Sequence, residues 1–213
     1  MNIEMIEKYA DYLKKLEKIL DEYFHSQKEF LYCKKGCGLC CKLCYYPVSQ
    51  LEYDYMKMGA DKVFTQEQKE KINNKAIQII KDRTAFLKRN TNLMDFYYEC
   101  PYLIDDICAN YEHRALLCRS HGVIYKDIEN PNKINLPYCF RIGLNYSQVW
   151  DYDLKNFSEE KMQQLGINAR PESYDLSYSV LRKGAGDVDF GDTRMLVEWI
   201  VMDIPNYQEL IKE

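Results

Sequence analysis

The chain has 213 residues, 46% hydrophobic and 29% charged, with a formal net charge of −4. That length fits a single domain able to bury about 70% of its unfolded surface without cross-links, and the negative charge excludes nucleic acid as the main partner, since neutralising phosphates needs a basic surface. No run approaches the roughly 18 apolar residues of a membrane span, and charges are spread through MNIEMIEKYADYLKKLEKILDEYF, unlike a signal or transit peptide, so the expected setting is the cytoplasm, with no membrane partner and with thiols kept reduced.

Ile3, Ile6, Ala10, Leu13, Leu16, Leu20 and Phe24 recur at three- and four-residue spacing, which predicts an amphipathic helix in the N-terminal segment 1–30. SQLE at 49–52 is a capping-box signature, with Gly59 as the expected stop of the helix it opens. TQEQ at 65–68 repeats the signature before a helix carrying Ile72, Ala76, Ile79, Ile80, Phe86 and Leu87 and running to about Arg89. CPYLIDDIC at 100–108 reads as a small hairpin or tight loop around Asp105 and Asp106. Helix formers follow in NYEHRALLCR, with Leu116 and Leu117 toward a core. The stretch 122–150 reads as loop with isolated strand-like pieces, with Pro131 and Pro137. FSEEKMQQLG predicts a helix, SYDLSYSVL at 173–181 a strand, and TRMLVEWIVMDIP at 193–205 a final helix ended by its proline. The expected fold is mainly α with a small irregular β part, its helices packed around a cysteine-rich metal core. The segment 31–145 holds that core, and 146–213 is a C-terminal appendage.

The chemistry concentrates in CKKGCGLCCKLC, five cysteines within residues 33–44, out of nine in the chain. A closed disulfide framework is excluded by the odd count and by a reducing compartment. A buried helical stripe of Cys33, Cys37, Cys40 and Cys44 has the right spacing. Against it stand Gly36 and Gly38, each costing about 1 kcal/mol inside a helix, the off-stripe Cys41 and the interleaved lysines. A metal site uses every feature, because thiolate ligands come from short loops in which glycine lets the backbone turn around the ion. Cys37 and Cys40 form a C-x-x-C half-site, and Cys100, Cys108, Cys118 and Cys139 form a second block able to complete it. Adjacent Cys40 and Cys41 point apart, which suggests two centres or one polynuclear centre. Cys33, Cys37, Cys40, Cys41, Cys100, Cys108, Cys118 and Cys139 supply eight thiolates, enough for two four-coordinate ions, and leave Cys44 over. Lys34, Lys35, Lys42, Arg114 and Arg119 would offset their charge.

CKKGCGLCC resembles the C-x-x-x-C-x-x-C-C opening of the YkgJ-type cysteine-cluster family, named for a zinc- or iron-chelating domain. That family's second signature stands here as Cys100-Pro101-Tyr102-Leu103, then Cys108, then Tyr111-Glu112-His113-Arg114-Ala115-Leu116-Leu117-Cys118-Arg119. Ala115 takes the place of a proline at the start of the helix carrying Cys118, which removes no ligand. The match spans about 31–145. It implies chelation of zinc or iron, the latter in mononuclear form or as an iron–sulfur cluster. The flagellin lysine methylases are similar over the same cysteines, which implies the alternative of a metal-dependent enzyme that modifies a protein substrate. No glycine-rich loop for S-adenosylmethionine accompanies them.

Of three histidines, His25 reads as a helix-surface residue, His113 lies in the YEHR turn, and His121, three residues past Cys118, is a ligand or hydrogen-bond candidate. Asp105 and Asp106 read as a turn, and Asp187, Asp189 and Asp192 as a solvated loop lacking the register of a calcium site. No Ser–His–Asp set, phosphate loop or dinucleotide fingerprint is present. The expected partners are a metal ion and a protein partner or substrate.

Overall fold

The computed structural model describes residues 2–34, 36–43, 45–90, 92–127, 129–130 and 133–211; Lys35, Cys44 and Pro131, singled out above, lie outside them. Helices dominate: α1 (Ile3–Ser26), α2 (Gln50–Val63), α3 (Gln66–Leu87), α4 (Leu116–Ser120), α5 (Glu159–Gln164), α6 (Tyr178–Lys183), α7 (Leu196–Met202) and α8 (Tyr207–Leu210). The strands form two-stranded antiparallel ladders: β1 (Pro47–Ser49) with β8 (Thr193–Met195), β2 (Leu103–Ile104) with β3 (Ile107–Cys108), β4 (Tyr125–Lys126) with β5 (Ile134–Asn135), and β6 (Trp150–Asp151) with β7 (Asn156–Phe157). Among the described residues, no helix is long and apolar enough to cross a membrane. The chain forms two compact units: Met1–Ile6, Gly36–Ala115 and Asp189–Glu213 in the first, Glu7–Lys35 and Leu116–Val188 in the second.

In the first unit both capping boxes form as predicted. Ser49 Oγ accepts the Glu52 amide at 3.3 Å and Glu52 Oε2 accepts the Ser49 amide at 2.9 Å, while Thr65 and Gln68 repeat the exchange. Glu52 is fully buried and also takes the Ser49 hydroxyl at 2.7 Å. Helix α2 does not stop at Gly59; it runs through to Val63. Gly59 is there for close approach: a Cβ would stand 2.2 Å from Cγ of His113. The register of β1 with β8 seats α7 beside α2 and α3, and Trp199 donates its indole N–H to the Val48 carbonyl at 2.8 Å. Ile72, Ala76, Ile79 and Ile80 of α3 and Leu196, Val197 and Ile200 of α7 are buried. The first residues of the predicted last helix, Thr193–Met195, are strand instead, because the long-range ladder to β1 outweighs local helix preference.

In the second unit, the buried stripe of α1 is Tyr9, Leu13, Leu16 and Leu20. Tyr9 takes the place expected for Ala10, and Ile3, the first residue of the helix and part of the first unit, is exposed. The 3-10 turn Lys28–Phe30 delivers Phe30 to a core with Ile124, Tyr146, Val149 and Met162. Ser177 caps α6 by accepting the Val180 amide at 3.3 Å, so part of the predicted strand at 173–181 is helix; its one bridge pairs Tyr174 with Tyr125.

Candidate metal centre

The cysteine-rich run is a loop. Gly36 has φ +86° and Leu39–Leu43 forms a single 3-10 turn, so no continuous helix carries Cys33, Cys37 and Cys40. The second block begins with the hairpin β2–β3, whose two central residues Asp105 and Asp106 have φ +50° and +61°, as a two-residue type I′ turn requires. Gly38 brings these two parts together. A Cβ at residue 38 would lie 2.6 Å from the Asp106 carbonyl oxygen and 2.8 Å from Leu103, so only glycine lets the loop lie on the hairpin. Lys42 and Asp106 pair at 2.5 Å across the same seam. The Cys41 carbonyl accepts the Cys100 amide at 2.7 Å, and the Cys40 carbonyl accepts the Tyr46 hydroxyl at 2.8 Å.

The first unit thus holds Cys37, Cys40, Cys41, Cys100 and Cys108. Cys37 is exposed, Cys40, Cys41 and Cys108 are half-buried, and Cys100 is buried. Burial pushes the Cys108 thiol up to about 11, helped by the neighbouring Cys100 and Cys40; the Asn110 backbone amide, which hydrogen-bonds the sulfur, and Arg114 work in the opposite direction.

The second unit holds Cys33, Cys118 and Cys139. Residue 33 is exposed, but its sulfur is crowded: a Cβ on Gly122, which has φ +110°, would stand 2.6 Å from it. Asn145 Nδ2 donates to Cys33 Sγ at 3.2 Å and to the Gly122 carbonyl at 2.8 Å. A hydrogen bond from Cys139 is the main cause that lowers the Cys33 thiol to about 6, with Asn145 adding to it and burial opposing. Cys118 lies half-buried on α4, beside Arg119, whose buried guanidinium pairs with Glu17. His121 is half-buried as a residue, but its Nε2 is sealed from solvent, and burial lowers its pKa to about 4. It is therefore neutral at physiological pH, the form in which imidazole binds metal.

Among the described residues, no disulfide joins the eight cysteines, and no group of three or more His, Cys, Asp or Glu is arranged to hold a metal ion. The donor chemistry nevertheless suits a thiolate-binding metal. N–H donors aimed at Cys33 and Cys108 are what stabilises sulfur carrying negative charge. Sequence reading missed Asn145, Gly122 and Asn110, which carry no motif; only the glycine next to His121 offered a cue. Compared with known proteins, the chain matches no family model, no curated protein and no solved structure.

Proposed function

We propose that the chain binds zinc or iron, the latter singly or as an iron–sulfur cluster, through cysteine thiolates. One observation carries the proposal: the two sequence blocks meet in the first unit, where Cys41 is hydrogen-bonded to Cys100, and Cys108 has Cys40 and Cys100 as neighbours. The likeness of both blocks to the YkgJ-type cysteine clusters points the same way. Cys37, Cys40, Cys41, Cys100 and Cys108 would supply the ligands of one centre, with the exposed Cys37 thiol drawn in on binding. Cys33, Cys118 and Cys139, with the neutral His121 three residues past Cys118, form a second set in the other unit. When bound, zinc would act as a structural cross-link between loops, and an iron–sulfur cluster would add electron transfer.

The test is elemental analysis of protein produced with zinc and iron both supplied. At least one equivalent per chain is expected, and Cys108→Ala and Cys41→Ala should each lose it. Visible charge-transfer absorption in anaerobic protein would identify iron–sulfur, and colourless loaded protein zinc. Folded wild-type chain without metal under these conditions overturns the proposal.

A further inference from the structure

We propose that Cys33 and Cys139 form a redox-active dithiol that exchanges with a low-molecular-weight disulfide and closes to an intramolecular bridge. Both belong to the second unit: Asn145 Nδ2 reaches Cys33 Sγ at 3.2 Å, and the adjoining Leu144 amide bonds the Cys139 carbonyl at 3.0 Å, which brings Cys139 to the same side as Cys33, in keeping with a hydrogen bond from its thiol to Cys33. The flanking backbone is tied together without them. The Tyr32 amide donates to Asn145 Oδ1 at 2.7 Å, the Tyr146 amide to the Phe30 carbonyl at 2.9 Å, and Gln148 Nε2 to the Glu29 carbonyl at 3.0 Å. The Leu144 amide closes the turn holding Cys139 by donating to its carbonyl at 3.0 Å. These bonds hold the two segments side by side in the reduced chain without help from a disulfide. Cys33 is exposed and Cys139 is half-buried, which makes Cys33 the attacking thiol and Cys139 the resolving one.

The Cys33 thiolate attacks one sulfur of the reagent disulfide. The reagent S–S bond breaks, one thiolate leaves and takes up the proton lost by Cys33, and a mixed disulfide remains. Cys139 then loses its proton and attacks the Cys33 sulfur, forming the Cys33–Cys139 bond and expelling the second reagent thiolate, which accepts that proton. Two protein thiols are oxidised by two electrons, and the reagent is reduced to two thiols. The Asn145 amide, 3.2 Å from Cys33 Sγ, stabilises charge on that sulfur during attack and departure. Closure also removes two thiols from the second metal-ligand set, so oxidation and metal binding would exclude each other there.

The chemistry needs no metal, and the experiment starts from the full chain stripped with a chelator. Glutathione disulfide is added, the reaction is quenched by alkylation, and intact mass and a non-reducing peptide map are recorded. Two alkylatable thiols should disappear, with a cross-linked peptide joining Cys33 to Cys139. Cys139→Ser and Cys139→Ala should each trap glutathione on Cys33, and Cys33→Ala should form neither species. Circular dichroism confirms that each variant is folded. Folded wild type that forms no bridge, that bridges other cysteines instead, or that forms this bridge with no adduct trapped in either folded Cys139 variant overturns the proposal. Wild type that binds no zinc yet forms the bridge supports the dithiol and overturns only the metal reading.

Discussion

Gly122→Ala probes the surroundings of Cys33 most directly. At φ +110° an L side chain is held in a sparsely populated backbone region, a cost of roughly 1–3 kcal/mol. The added methyl would stand 2.6 Å from Cys33 Sγ and 3.3 Å from the Phe24 ring. Cys33 can yield only by rotating about one bond, which breaks its contacts with Asn145 and Cys139, and overpacking of this kind costs about 1–3 kcal/mol more. The sum is about 2–6 kcal/mol, seen as a fall in thermal midpoint of about 2–4 °C per kcal/mol for a chain of this size. The two parts separate in a double-mutant cycle. Cys33→Ala removes the sulfur, so in the double variant the overpacking part should vanish and the backbone part remain, a coupling of about 1–3 kcal/mol. Urea unfolding of the metal-free proteins, followed by circular dichroism, measures all four species. A Gly122→Ala cost under about 0.5 kcal/mol, the range of neutral surface changes, or strictly additive costs, would refute the crowding around this sulfur.

Gly59→Ala should destabilise the chain by about 1–3 kcal/mol net, although alanine favours helix, because the new Cβ meets the His113 ring at 2.2 Å; a more stable variant in thermal unfolding would contradict the packing described. Ser49→Ala should cost about 1–2 kcal/mol, since it removes the acceptor for the Glu52 amide and one donor to a buried carboxylate; urea midpoints measure it, and an unchanged midpoint counts against the cap. In metal-free protein, alkylation of Cys33 should rise with a midpoint near pH 6, and Cys139→Ala should move that midpoint upward, because the hydrogen bond from Cys139 is the largest cause of the shift. The sign for stability follows: a folded thiol at about 6 against an ordinary 9.0 favours the fold fully above pH 9, and that contribution is lost as pH falls through about 6. Cys108, held near 11 chiefly by burial, should stay unreactive at pH 8, and rapid alkylation there would mean the hairpin opens.

Much of the fold was legible because its signals act within a few residues. Both capping boxes, the helix stripes and the Asp105–Asp106 turn depend on hydrogen bonds or dihedral limits spanning no more than one helical turn. Where two preferences competed, the local signal misled. Gly59 looked like a stop but is buried against His113, and Thr193–Met195 looked helical but pairs with β1.

By itself the sequence showed where the sulfur lies: nine cysteines, five of them within residues 33–44, with glycines where the backbone must turn or approach closely. Only the tertiary structure decided how they are shared out. The first block divides, with Cys33 in the same unit as Cys118 and Cys139, and Cys37, Cys40 and Cys41 in the same unit as Cys100 and Cys108. A sulfur's neighbours depend on which distant backbones hydrogen-bond, as Cys41 does to Cys100 and Asn145 does to Tyr32 and Gly122. Such pairings are settled by the burial of whole elements, and spacing along the chain carries no record of them.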